Sequence, residues 1–128
     1  MEDWRIKISV LWIFKALATL TYSLLMFTEP GVLEKIMEGE ILGMRVGPEI
    51  LLLGAIESMV PLAMAFLSLT LKDSVNRWAN IIVGLVYTIL NIISLAESPS
   101  AHGLLMWGSA AVATALVIWY AWKSKLRF

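Results

Sequence analysis

The chain has 128 residues, of which 59% are hydrophobic and 16% charged, and its mean hydropathy is +0.80. Soluble domains average about 45–50% apolar and about 25% charged residues, so this composition excludes an ordinary water-soluble domain. The net charge of zero argues against a nucleic-acid partner, and the absence of cysteine excludes thiol redox chemistry, iron–sulfur clusters and thiolate metal sites.

Four long apolar runs cover about residues 8–27, 50–71, 78–96 and 103–122. Each run is close to the ~20 residues that a helix needs to cross a ~30 Å hydrocarbon core. Short links follow the second and third runs, and they favour antiparallel neighbours. The sequence therefore predicts an all-α fold in which residues 1–128 form a single integral membrane domain, an up-down-up-down bundle of four transmembrane helices.

The first run begins like a secretory signal peptide, because Arg5 and Lys7 precede it and residues 16–18 resemble a cleavage site. Lys15 interrupts the apolar stretch just before that site, so we interpret the run as a retained transmembrane helix. Its polar residues recur at helical spacing and predict one stripe: Lys15, Thr19 and Tyr22.

The long connector after the first run predicts a short amphipathic helix over residues 29–41, lying at the membrane interface. Pro30 fits its first position, with Thr28 or Glu29 as the cap. Apolar residues then share one face: Val32, Leu33, Ile36 and Met37. Two interpretations stay open for this helix, a lid over the outer end of the bundle and a plain connector that contacts lipid headgroups.

The second run places Glu57 and Pro61 in the middle of an apolar segment. Charges inside a membrane usually face the bundle interior or a wet cavity, and they mark functional sites by default. Proline cannot donate a hydrogen bond to the carbonyl four residues earlier, which is that of Glu57, and in lipid this carbonyl needs another partner. The sequence therefore predicts a polar pocket centred on Glu57, with Lys15 as its counter-charge.

Polar and small residues form stripes on the second and third helices, and we expect the stripes to face each other. The second helix contributes Gly54, Glu57, Ser58, Pro61, Ala65 and Ser68, and the third contributes Asn80, Gly84, Tyr87, Asn91 and Ser94. At ~1.5 Å per residue, Glu57, Tyr22 and Asn91 share one depth, about 8–10 Å from the outer end. The predicted ligand-binding residues are Glu57, Lys15, Tyr22, Ser58, Asn91 and Tyr87.

The fourth run is rich in small residues between Gly108 and Ala115, which allow another helix to approach closely. That approach occurs either within the monomer or at a homodimer seam. His102 lies at the outer mouth beside Glu97, where it is either a proton relay, a metal ligand or neither. The sequence contains no recognised catalytic set, metal-ligand spacing or cofactor motif, so neither a catalytic residue nor a cofactor is predicted.

Lysine and arginine residues outside the apolar runs concentrate at both termini and in the 72–77 turn. The positive-inside rule therefore predicts a multi-pass protein of the cell membrane with both termini in the cytoplasm. The expected partners are the lipid bilayer, a small-molecule or lipid ligand, and a second copy of the chain.

The string ESMVPLAMAFLSLTLKDSVNRWANIIVGLVYT (57–88), with EPGVLEKIMEGEI (29–41) and VIWYAW (117–122), resembles an uncharacterised family of small prokaryotic four-helix membrane proteins, a domain of unknown function. Its most specific part is NRWANII, Asn76 to Ile82. The overall plan is also similar to DoxX-like membrane proteins. The resemblance implies the architecture and no activity.

The leading functional hypothesis is a protein that binds a small or lipidic ligand, a cation or a proton in the Glu57 pocket, as a transporter subunit, a channel subunit or a binding module. One alternative is a membrane enzyme that acts on an apolar lipid or isoprenoid with Glu57 as general acid or base. A second is a non-catalytic assembly partner. A third is that Lys15 and Glu57 only neutralise each other within the packed bundle.

Overall fold

The computed structural model describes residues 3–41, 44–45, 47–97 and 100–124. Its helices are α1 (Asp3–Met26), α2 (Val32–Met37), α3 (Pro48–Thr70), α4 (Asp73–Glu97) and α5 (Ala101–Ser124). Two strands of two residues each, β1 (Glu40–Ile41) and β2 (Met44–Arg45), pair antiparallel in the connector. Apart from this short pairing the described chain is helical, as predicted.

Four of the helices, α1, α3, α4 and α5, are long and apolar enough to cross a membrane, which confirms the prediction of four spans. They begin two to five residues before the apolar runs, and each ends within two residues of the end of its run. α4, for example, begins at Asp73, so the polar residues just before the third run form its first turn. These four helices indicate a multi-pass membrane protein.

The long helices alternate in direction, so the bundle has two distinct ends. Arg5 near the start of α1 pairs with Asp73 at the start of α4, and this end is called the terminal end. Glu29, just after α1, contacts His102 near the start of α5 at the opposite end, called the connector end.

Packing between the helices is uneven. α1 lies between α3 and α5, and α5 lies between α1 and α4, whereas α3 and α4 pack only loosely at the backbone level. The short link at Leu71 and Lys72 makes α3 and α4 sequential and antiparallel. Hydrogen bonds made by side chains, more than close backbone packing, join the two helices.

The hydrophobic core occupies the terminal half of the bundle. Its members are Trp4, Ile8, Trp12, Met64, Ala65, Tyr87, Val117 and Ala121. Residues 48–59 of α3, in the connector half, are by contrast all exposed or only partly buried. α3 is therefore packed near the terminal end and open toward the connector end, and Glu57 lies near the boundary.

The connector departs from the predicted helix over residues 29–41. Gly31, and neither Thr28 nor Glu29, is the N-cap of the connector helix, and no side chain caps it. Thr28 and Glu29 instead donate backbone hydrogen bonds to Leu25 and Met26 and close the end of α1. The helix starts only at Val32, after Gly31 adopts a left-handed φ of 83°.

The connector helix also ends earlier than predicted, at Met37 and not at residue 41. Gly39, at φ 92°, terminates it after Met37, because a glycine readily takes the left-handed conformation at a helix end. Pro30 therefore lies in the turn before α2. α2 buries no residue, and its main contacts are with β1. This arrangement fits the connector interpretation and gives the lid interpretation no support.

The small residues of α5 pack within the chain. Ala110, Ala113, Thr114 and Ala121 are all buried in the bundle. On the facing side of α4, a methyl carbon added at Gly84 would lie 3.0 Å from Cγ1 of Ile118 and 3.5 Å from the carbonyl of Thr114. Gly84 therefore sets how closely α4 and α5 approach.

Replacing Gly84 by leucine tests this packing. We expect the free energy of unfolding in detergent to fall by about 1–3 kcal/mol, because the added side chain overfills a closed contact. Gly54→Leu is the matched control, since no atom lies within 4 Å of a Cβ at that position of α3. Equal destabilisation by both variants, measured by thermal or denaturant unfolding, would contradict this account.

Candidate functional site

A salt bridge joins the two charged residues near the middle of the spanning helices. The Nζ of Lys15 on α1 lies 3.1 Å from Oε1 of Glu57 on α3. The two side chains differ sharply in environment, because that of Lys15 is 1% exposed and that of Glu57 is 45% exposed. The ammonium is enclosed by the bundle, while the carboxylate lies at its open side. The predicted counter-charge relationship is thus a direct contact.

The carbonyl of Glu57, which Pro61 leaves without a helical donor, has a partner on α4. The hydroxyl of Tyr87 donates to it at 2.9 Å. The ring of Tyr87 also lies under Lys15, whose Nζ is 4.5 Å from the ring centroid. Trp12 meets the same ring edge-on at 5.8 Å. Tyr87 therefore supports both halves of the ion pair, through its hydroxyl on one side and its ring face on the other.

A cavity of about 290 Å³ adjoins the carboxylate, between α1 and α3. Its polar lining is Thr19, Ser23, Glu57 and Ser58. The remaining lining is apolar and comprises Ile13, Ala16, Leu17, Leu20, Pro61, Leu62 and Trp107. Because Ile13, Leu17, Leu20 and Leu62 are also exposed on the outer surface, the cavity opens sideways, on a face that hydrocarbon chains would cover.

Two of the predicted ligand-binding residues lie elsewhere. Tyr22 contacts the rings of His102 and Trp107, with centroid distances of 6.0 and 5.1 Å, so it approaches the cavity only through Trp107. Asn91 is buried and donates to the hydroxyl of Thr114 at 3.4 Å. It faces α5 because α4 packs closely on α5 and only loosely on α3. The structure brings together Glu57, Lys15, Tyr87 and Ser58.

His102 pairs with the connector rather than with Glu97. Its Nε2 lies 2.7 Å from Oε1 of Glu29, although the ring N–H is not aligned along that line as a hydrogen bond requires. In the part of the chain that the structure describes, no group of three acidic, histidine or cysteine side chains converges as a metal site would need. His102 therefore joins the start of α5 to the end of α1 at the connector end of the bundle, through its contacts with Glu29 and Tyr22.

A buried polar network fills the interior between the cavity and the terminal end. Trp12 donates its indole N–H to Asn80 at 2.7 Å, and Ser68 donates to the same amide oxygen at 3.2 Å. Asn80 donates to the side-chain oxygen of Asn76, and Asn76 donates to the carbonyl of Ser68, at 2.6 and 2.7 Å. The predicted polar stripes include Ser68 and Asn80 but neither Trp12 nor Asn76. The signal was available, since Trp12 lies one helical turn before Lys15 on the same face.

Comparison with known proteins adds a family and nothing about activity. Residues 2–126 match the model of a family described as Family of unknown function (DUF6326). The chain belongs to this family. No curated protein and no solved structure matches it. The predicted resemblance to an uncharacterised membrane family is therefore confirmed, and the likeness of this DUF6326 chain to DoxX-like proteins stays a prediction.

Breaking the ion pair from one side tests its role in stability. Glu57→Leu leaves the enclosed ammonium of Lys15 unpaired, so we expect a loss of about 3 kcal/mol in the free energy of unfolding in detergent. Adding Lys15→Met removes the unpaired charge and restores most of that loss. A single variant as stable as the parent, or a double variant no better than the single, would contradict the electrostatic account.

The coupling between Pro61 and Tyr87 is measured by a double-mutant cycle. Tyr87→Phe leaves the Glu57 carbonyl without a donor, and we expect it to cost about 1–3 kcal/mol of unfolding free energy. In a Pro61→Ala background the backbone N–H at residue 61 supplies the missing helical hydrogen bond, so the same substitution costs less. Equal costs in both backgrounds would show that the tyrosine hydroxyl does not replace the lost bond.

Proposed function

We propose that this protein binds a small, mainly apolar molecule carrying one cationic or hydrogen-bond-donating group in the cavity between α1 and α3, with the Glu57 carboxylate as the group that recognises its polar end. The observation that carries the proposal is the asymmetry of the ion pair, with Lys15 enclosed and Glu57 open to a cavity. A pair serving only to neutralise charge in the packed bundle has no need of a half-exposed carboxylate.

The chemistry of the lining supports a ligand that donates hydrogen bonds. Thr19 and Ser23 already use their hydroxyl protons on backbone carbonyls of α1, so they offer the cavity acceptor oxygens. The carboxylate of Glu57 is also an acceptor, and only its Oε1 contacts Lys15 among the described residues. An apolar wall with a few convergent polar groups is the usual composition of a small-molecule site, and about 290 Å³ is near the lower end of its size range.

The shape of the interior favours a binding module over an open channel. Trp12, Ser68 and Asn80 are fully buried between the cavity and the terminal end, and they bond to one another. Passage of a ligand across the bundle would require this network to separate. All lining groups belong to α1, α3 and α5 of one chain, so the proposed site is complete in a monomer.

The orientation of the protein decides from which leaflet the cavity is reached. The excess of lysine and arginine at the termini and in the 72–77 turn supports a cytoplasmic terminal end in a cell membrane. Trp107, Leu20 and Ser23 lie toward the connector end. The cavity then faces the outer leaflet, and we propose that the ligand enters sideways from it.

A matched series of rigid probes tests the proposal: 1-adamantanamine, 1-adamantanol and adamantane, which share a body and differ in the polar group. We expect the purified protein in neutral detergent to bind the amine more tightly than the alcohol, and the alcohol more tightly than the hydrocarbon. Glu57→Gln should weaken amine binding about tenfold, because a charge-assisted hydrogen bond contributes about 1.5–3 kcal/mol. Equilibrium dialysis measures the three dissociation constants.

Two further variants control for indirect effects. Glu29→Gln removes an acid outside the cavity and should leave amine binding unchanged. Leu62→Trp fills the cavity from a half-exposed wall position without touching the ion pair and should weaken all three probes. Amine binding that is insensitive to Glu57→Gln, or equally sensitive to Glu29→Gln, would overturn the proposal.

A further inference from the structure

A second cleft lies at the terminal end, at the start of α4 and away from the Glu57 cavity. It has a volume of about 400 Å³ and is lined by Lys72, Asp73, Ser74 and Arg77. These are polar and charged residues, unlike the largely apolar lining of the cavity between α1 and α3. The two spaces therefore suit different chemistry.

The cleft has a net positive charge. Asp73, its only acid, is paired with Arg5 of α1, and this contact neutralises the carboxylate. Lys72 and Arg77 have no such acidic partner among the described ion pairs. An anion entering the cleft therefore meets two uncompensated cations and the hydroxyl of Ser74.

The guanidinium of Arg77 has two N–H donor groups for which the described residues provide no acceptor. Its central carbon lies 4.7 Å from the ring centroid of Trp78 and 5.7 Å from that of Trp122. Nε and Nη2 are buried and have no hydrogen-bond partner in the described residues. Buried donors of this kind are rarely left unpaired. Nε and Nη2 form one edge of the guanidinium, and such an edge binds two oxygens of a phosphate or carboxylate side by side.

The flanking tryptophans place the cleft at the membrane surface. Trp78 and Trp122 are about half exposed on the outside of the bundle, and indole side chains concentrate at the level of lipid headgroups. Binding through the Nε and Nη2 edge requires Arg77 to turn so that this buried edge faces the cleft that the side chain lines. We propose that this cleft binds a phosphate group, held by the Nε and Nη2 edge of Arg77 and by Lys72 and Ser74.

Binding of phosphatidylglycerol and phosphatidylcholine to the full-length protein, measured by native mass spectrometry from neutral detergent, tests the proposal. We expect tighter binding of phosphatidylglycerol, whose phosphate charge no choline offsets. Arg77→Gln and Lys72→Gln should each weaken it about fivefold, the equivalent of about 1 kcal/mol per basic residue near a membrane surface. Lys123→Gln is the matched control, because Lys123 also lies at the terminal end and stacks on a tryptophan, Trp119, but is outside the cleft.

Competition by inorganic phosphate distinguishes the two sources of the group. Displacement of phosphatidylglycerol by millimolar phosphate identifies a site for free phosphate or phosphorylated solutes, and no displacement identifies a lipid headgroup site. Both results support a phosphate site. Phosphatidylglycerol binding that neither Arg77→Gln nor Lys72→Gln weakens, or that Lys123→Gln weakens equally, overturns it. Lys72 is exposed, so Lys72→Gln keeps the test decisive even if Arg77→Gln does not fold.

Discussion

The enclosed ammonium of Lys15 constrains the whole interior of this bundle. A charge at that depth in hydrocarbon is costly, so the chain must provide an anion and polarisable surface within its reach. Glu57 provides the anion and Tyr87 the surface, and they come from α3 and α4, the two helices that otherwise pack only loosely. The lysine on α1 thus links all three helices.

The uneven density of the bundle follows from where the large side chains are. Trp4, Ile8 and Trp12 all occupy the first half of α1, and Met64 and Ala65 face them from α3. The connector half of α3 offers leucines that point outward and no aromatic residue to fill the space next to α1. A cavity beside Glu57 is the result of a core that ends at the level of the ion pair. The hydrophobic core and the cavity therefore occupy different halves of α1 and α3, and they meet at the ion pair.

The sequence predicts the fold well because lipid imposes simple demands. The thickness of the hydrocarbon layer sets the length of each span. The absence of water in that layer means that a charge such as Glu57, and the carbonyl left free by Pro61, must find a partner within the protein. The role of Lys15 as a counter-charge is predicted for the same reason, but its direct contact with Glu57 comes from the structure. What the pattern cannot supply is the rotation of each helix. Asn91 shares a stripe with Tyr87, yet α4 turns Asn91 toward α5, because packing against α5 at Gly84 decides the orientation.

The connector shows a second limit of pattern reading. Pro30 fits a helix start by its own preference, but Thr28 and Glu29 are already used in the turn that ends α1. Only the structure shows which of two neighbouring elements takes a shared residue. Trp12 shows the same limit for a side chain. The sequence pattern suggests only an apolar packing role for its indole, and the structure shows that its N–H donates to Asn80.

Pro61 and the hydrogen bond from Tyr87 together affect how α3 bends. A helix resists bending because its backbone hydrogen bonds must stretch, and Pro61 removes the bond that would join residue 61 to residue 57; the hydroxyl of Tyr87 satisfies the Glu57 carbonyl without joining these two residues. α3 therefore bends more easily beside Pro61 than along an uninterrupted stretch of helix, and the Tyr87 hydrogen bond ties this point of α3 to α4. The open carboxylate of Glu57 is thus carried by the part of α3 that bends most easily, and the anchor that holds this part in place is a side chain of the neighbouring helix.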